Sequence, residues 1–138
     1  MTQADMASDD ELKASFPTVD PGAVPLGSRV LVQFRAPKKK SRGGIILVDD
    51  TVETEKWNTQ VAKVVAVGPL AFKNRGTQEV WPEGAWAVPG DFVRASKYGG
   101  DRWEVAIDKE EAALFAIFND LDLIAKVTGN PLTMKAFI

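Results

Sequence analysis

Ser28-Arg29-Val30-Leu31-Val32-Gln33-Phe34-Arg35 places Val30, Val32 and Phe34 on one side of an extended chain and Arg29, Gln33 and Arg35 on the other, with Leu31 the exception. Period-two alternation carried by β-branched and aromatic residues is the pattern of a strand. The stretch that follows, Ala36-Pro37-Lys38-Lys39-Lys40-Ser41-Arg42-Gly43-Gly44, joins a proline, four cations and a glycine pair. It supplies no core and reads as a flexible loop. Ile45-Ile46-Leu47-Val48 then follows abruptly, and a polar, acidic run over 49–60 closes the excursion.

Working outward, Val61-Ala62-Lys63-Val64-Val65-Ala66-Val67 is rich in β-branched residues and ends at Gly68-Pro69, so it reads as a mostly buried strand closed by a turn. Residues 69–89 carry Asn74-Arg75-Gly76 and Pro82-Glu83-Gly84 with Trp81 and Trp86 around them, an extended hairpin-like insertion. Asp91-Phe92-Val93-Arg94-Ala95 is a short strand. Lys97-Tyr98-Gly99-Gly100-Asp101 has the composition of a Gly-Gly hairpin turn, with Arg102-Trp103-Glu104-Val105-Ala106-Ile107 as the strand answering across it. Residues 108–113 suit a tight connection or short helix, and Leu114-Phe115-Ala116-Ile117-Phe118 another strand. By pattern alone 120–127 fits a strand or a helical turn.

Ahead of all this, residues 1–24 form an irregular acidic arm, in which 9–16 makes one or two helical turns that Ser8 can cap and that the prolines stop. A short tail, 128–138, follows the last element. Short strands with turn residues at regular spacing imply an all-β fold, a small antiparallel barrel. The length of 138 residues suits one domain.

Composition excludes much chemistry. The chain has no cysteine and no histidine, which removes disulfides, thiolate metal sites, histidine-based acid–base catalysis and serine triads. No metal or cofactor is expected, and no catalysis. A formal net charge of −2 gives no global field toward nucleic acid or anionic lipid. No apolar run approaches the length of about 20 residues that spans a bilayer, and the polar start is unlike a signal peptide, so a cytoplasmic protein is expected.

Local clusters weigh little. Lys38, Lys39, Lys40 and Arg42 suit phosphate contacts, the basis of an alternative reading as a small barrel that binds nucleic acid, but neighbouring acids offset their field. Asp49-Asp50 and Asp120/Asp122 lack the ligand spacing of a calcium loop and read as turns. Glu110-Glu111 reads as surface charge. Ile45 to Val48 allows two readings: an edge strand packed on the barrel, or an exposed hydrophobic hook presented to a partner's groove.

The order Pro25-Leu26, Arg29-Val30-Leu31-Val32, Gly43-Gly44-Ile45-Ile46-Leu47, Val64-Val65-Ala66-Val67-Gly68, Pro89-Gly90-Asp91, Tyr98-Gly99-Gly100 and Asp122-Leu123-Ile124-Ala125-Lys126 resembles the GroES-type co-chaperonins, the chaperonin lid family. The resemblance covers roughly 25–127, with a mobile loop at about 36–60 and a roof segment at about 69–89. It implies an irregular GroES-like barrel that assembles as a heptameric ring and caps an ATP-bound, GroEL-type chaperonin enclosing unfolded client proteins. It implies that Gly43, Gly44, Ile45, Ile46 and Leu47 are the chaperonin-binding tip of the mobile loop. It also implies that the first and last strands meet between subunits, placing Arg29, Val30, Leu31 and Val32 with Leu123, Ile124, Ala125, Lys126 and Val127 at the seam. Tyr98 resembles the family's tyrosine on that turn, with barrel packing the other reading. Ser28 stands where the family commonly has aspartate, the loop before Gly43 is more basic, and the roof is longer with two tryptophans. With the added termini, these departures suit a divergent lid such as a virus would encode.

Overall fold

Strand β1 (Arg29–Phe34) is buried from Val30 through Phe34 in a computed structural model of the chain, which describes residues 9–35, 61–96, 99–109 and 111–132. Burial on both faces explains Leu31. It does not break the pattern but belongs to a second apolar cluster with Ala113 and Phe115 behind the sheet, while Val30, Val32 and Phe34 enter the main core. β1 can be covered on both faces because it lies inside a sheet of six antiparallel-paired strands.

The other strands are β2 (Val61–Val67), β3 (Phe92–Ala95), β4 (Asp101–Ala106), β5 (Ala112–Asn119) and β6 (Leu123–Lys126). Their order across the sheet is β4-β5-β1-β2-β3-β6. Register shifts at Leu31/Val32 in β1 and at Arg94/Ala95 in β3 bend the ladder, as bulges do. The concave side encloses Val30, Val32, Phe34, Val64, Phe118 and their neighbours. The chain is thus all-β, a small irregular barrel with little helix.

The Gly-Gly segment does not join a hairpin. β4 pairs with β5 along its whole length, from Asp101↔Ile117 to Ala106↔Ala112, whereas β3 pairs with β2 and β6. The expected pairing of 91–95 with 102–107 is therefore incorrect. Local composition suggested a two-residue turn, but the tertiary fit prevails: Trp103 stacks on its cross-strand partner Phe115 at 6.0 Å, and Val105 faces the same cluster. Gly100 serves a close approach instead. A Cβ on Gly100, where φ is +75°, would stand 2.7 Å from the Phe118 ring. The true hairpin turn lies between β4 and β5, where the Ile107 and Asp108 amides donate to the Glu111 carbonyl and the Glu111 amide to Asp108 Oδ1.

The roof segment contributes one isolated bridge, Lys73↔Val80, and otherwise turns. It is held by apolar contacts: Phe72 and Ala87 are buried, Trp81 and Trp86 stack at 6.5 Å, and both indoles pack on the main core. The stretch over 120–127 contains both alternatives that its pattern allowed, a 3-10 turn at Asp120–Asp122 followed by β6. In the arm, helix α1 (Asp9–Ser15) leads into Phe16, which is 2% exposed and meets Phe92 edge-on at 5.1 Å.

Candidate functional site

Gly43, Gly44, Ile45, Ile46 and Leu47, like the basic cluster Lys38 to Arg42, lie outside the described residues; so does Tyr98. What the structure defines is the root of that segment. Phe34 and Ala62 are register partners, so residues 36–60 leave and rejoin the sheet at adjacent strand ends. The root is firmly built. Phe34 is fully buried against Phe118, with the Arg102 guanidinium over its ring at 4.6 Å and over that of Phe118 at 5.5 Å. Burial strips water from Arg102 and lowers its pKa. Arg35 Nη1 donates to the Leu132 carbonyl at 3.3 Å, bringing the start of the tail to the same place.

The expected seam residues divide. Val30, Leu31 and Val32 are interior, and both edges of β1 are hydrogen-bonded, to β2 and to β5. Only Arg29 of that group is exposed. In β6, Leu123 enters the core while Ile124, Ala125 and Lys126 face outward, Ile124 at 64% exposure. β6 pairs with β3 on one side, and among the described residues its other edge has no strand partner. Lys126 Nζ lies 3.4 Å from Asp91 Oδ2, an exposed pair that adds little.

Sequence reasoning used Pro25-Leu26 as a marker of the family and assigned no contact to the irregular segment before β1, where Val24 and Leu26 are 72% and 68% exposed. They line a groove of about 460 Å³ with Arg29, Ile117 and Asn119. A second groove, about 440 Å³, runs beside β6 and is lined by Trp86, Val93, Ile124 and Ala125. The described residues therefore carry two separate grooves of mixed lining, with Asp101 and Asp122 in the first and Glu83 and Lys126 in the second, each beside an exposed aliphatic residue. Isolated exposed aliphatics are ordinary; grouped at an open strand edge they mark a contact surface.

Asp120 was read as a turn residue and is fully buried. Its Oδ2 accepts from the Phe72 amide at 2.9 Å and its Oδ1 from Arg75 Nη2 at 3.1 Å, while its own amide donates to the Ser28 carbonyl. Phe72 adopts φ 63°, a left-handed conformation unfavourable to a bulky residue. Asp120 and the Trp81 amide, which donates to the Phe72 carbonyl, hold that backbone in place. One carboxylate thus ties the roof to the end of β5. Among the described residues no three carboxylates gather as a metal site, and no helix is long and apolar enough to cross a membrane.

Among the described residues the barrel leaves one edge of β6 without a strand partner and gathers no group of three carboxylates. The family model described as "Chaperonin 10 Kd subunit" matches residues 23–127. Among curated proteins, a Co-chaperonin GroES from Methylacidiphilum infernorum is 37% identical over 116 residues, covering 80% of this chain and 99% of that protein. Another from Thermus thermophilus is 40% identical over 101 residues, covering 73% and 87%. One from Tetragenococcus halophilus is 36% identical over 103 residues, covering 75% and 96%. The chain belongs to the chaperonin 10 kDa subunit family, the GroES-type co-chaperonins.

Proposed function

We propose that this protein is a co-chaperonin: a cytoplasmic lid, without catalysis of its own, that closes the folding chamber of a GroEL-type chaperonin in its ATP-bound state over unfolded clients. The observation that carries this reading is the extent of the family match, whose bounds, residues 23–127, take in the 43–47 block, the roof and β6. Gly43 and Gly44 act as the joint and Ile45, Ile46 and Leu47 as anchors that enter grooves on the chaperonin. Each buried aliphatic side chain contributes roughly 1.5–3 kcal/mol, and ordering the segment costs about 1–2 kcal/mol per residue fixed. One loop is a weak ligand. A ring of them, heptameric on this reading, gains avidity without new contacts.

The seam is formed by the open edge of β6 in one subunit and the segment before β1 in the next. This assignment modifies the expectation for Val30, Leu31 and Val32, whose backbone and side chains are occupied within the subunit. Arg29, Val24 and Leu26 are the exposed groups at that end of β1 and face the neighbour's Ile124, Ala125, Lys126 and Val127.

The test is Ile46→Asp. The variant is expected to keep its unfolding free energy within about 0.5 kcal/mol, as for a surface change, and to sediment as the same ring. It should no longer cap a chaperonin supplied with ATP when the mixture is imaged by electron microscopy, because an unpaired charge entering an apolar groove costs several kcal/mol. A variant that folds, assembles and still caps refutes the hook. A variant that unfolds returns Ile46 to the core.

A further inference from the structure

Residues 16–21 lie ahead of the family match, which begins at residue 23. They run as a strap across the convex face of the sheet. Phe16 meets Phe92 on β3 at 5.1 Å; the Pro17 carbonyl accepts from Gln33 Nε2 on β1 at 2.8 Å; Val19 packs into the cluster of Leu31 and Phe115; the Pro21 carbonyl accepts from Trp103 Nε1 on β4 at 2.8 Å. The contacts progress in sheet order, from β3 through β1 and β5 to β4. Four inter-strand steps come to about 19 Å, and six extended residues reach about 20 Å, so the strap crosses the sheet nearly taut.

The strap's sequence suits this course. Pro17, Val19 and Pro21 are half-buried while Thr18 and Asp20 face water, the alternation of an extended segment. Prolines offer no amide to a ladder, so their carbonyls are met by side-chain donors from the strands below. Without those carbonyls the indole of Trp103 and the buried amide of Gln33 would lose these acceptors. At its end the strap turns sharply: the Gly22 amide donates to Asp20 Oδ1 at 2.9 Å and Gly22 sits at φ +80°. Val24 and Leu26 follow directly.

We infer that the strap is an assembly device, fixing at Trp103 the start of the 22–26 segment so that Val24 and Leu26 are already placed for a second copy of this chain. The inference rests on the seam proposed above and extends it to residues outside the family match. Released from the strap, 22–26 is held only by buried Pro25 and its junction with β1, and the ordering of the part before Pro25 is charged to every subunit contact.

The experiment uses the full chain with Phe16→Ala/Val19→Ser, which removes the strap's contacts and leaves every strand residue unsubstituted, and with Thr18→Ala as an outward-facing control. Protection of the Trp103 indole proton, read by NMR, reports docking; sedimentation on dilution reports subunit dissociation. The double variant is expected to lose indole protection and to dissociate at a concentration at least about tenfold higher, the control at the concentration of the unmodified chain. Should the double variant not fold, Trp103→Phe keeps the stack on Phe115, removes one hydrogen bond, and is expected to shift dissociation about threefold in the same direction. Lost protection with unchanged dissociation overturns the inference, as does an unprotected Trp103 indole in the unmodified chain. An unmodified chain that sediments as a monomer overturns the seam itself, and shows it before any substitution is made.

Discussion

The Asp120 carboxylate accepts from a backbone amide of the roof and from Arg75, and it is walled in on all sides. Replacing it with alanine leaves the Phe72 amide buried without an acceptor and frees a backbone held at φ 63°. Asp120→Ala is therefore expected to lower the unfolding free energy by about 3 kcal/mol, the range for a buried bond to a charged group plus its orphaned partner. Asp120→Asn, whose carbonyl can still accept from Phe72, is expected to lose about half as much. Urea denaturation of both variants checks this, and equal losses would mean that a neutral acceptor toward Phe72 restores nothing and that the carboxylate's charge carries the stabilisation. Gly100 is a second single-atom constraint. Gly100→Ala puts a methyl group 2.7 Å from Phe118 at a φ of +75°, with an expected loss of about 2 kcal/mol on the same measurement.

At the level of elements, β6 separates folding from assembly. Leu123 points into the core and Ile124 into solvent, so Ile124→Asp should leave the monomer's unfolding free energy within about 0.5 kcal/mol. In the proposed seam the same aspartate is buried, and the ring should sediment as monomers; an intact ring would place the seam elsewhere. This strand also shows what a sequence discloses. β2 is legible to its end residues because seven residues carry a dense β-branched pattern and stop at Gly68-Pro69. The start of β6 is not, since a 3-10 turn and a strand share the same short apolar spacing in 120–127. The Gly99-Gly100 pair misleads because turn chemistry is local, while the partner of β4 is chosen by the Trp103–Phe115 stack. The strap was hidden for the opposite reason: Phe16, Pro17, Val19 and Pro21 make their contacts at successive places across the sheet, so their pattern exists only once the sheet is formed. The hook proposed at 43–47 rests on the order of motifs around it, because its own residue pattern favours an edge strand.

For the molecule as a whole, the proposed mode of binding has a consequence that no single-subunit measurement reaches. If each loop contributes a small, roughly equal free energy, the ring's affinity for a chaperonin is the product of many weak terms. Rings built from mixtures of unmodified and Ile46→Asp subunits should then lose affinity by a similar factor for each substituted subunit. A plot of log affinity against the number of variant subunits, counted by native mass spectrometry, is expected to fall in a straight line from the first substitution. The rigid root of the loop favours that linearity: Phe34, Phe118 and Arg102 fix each loop's point of departure, so one defective loop does not displace its neighbours. The alternative is a ring that needs only one or two engaged loops. Its affinity would hold level through most of the series and collapse near the end, and such a plateau would show that the loops act as redundant tethers rather than as summed weak anchors.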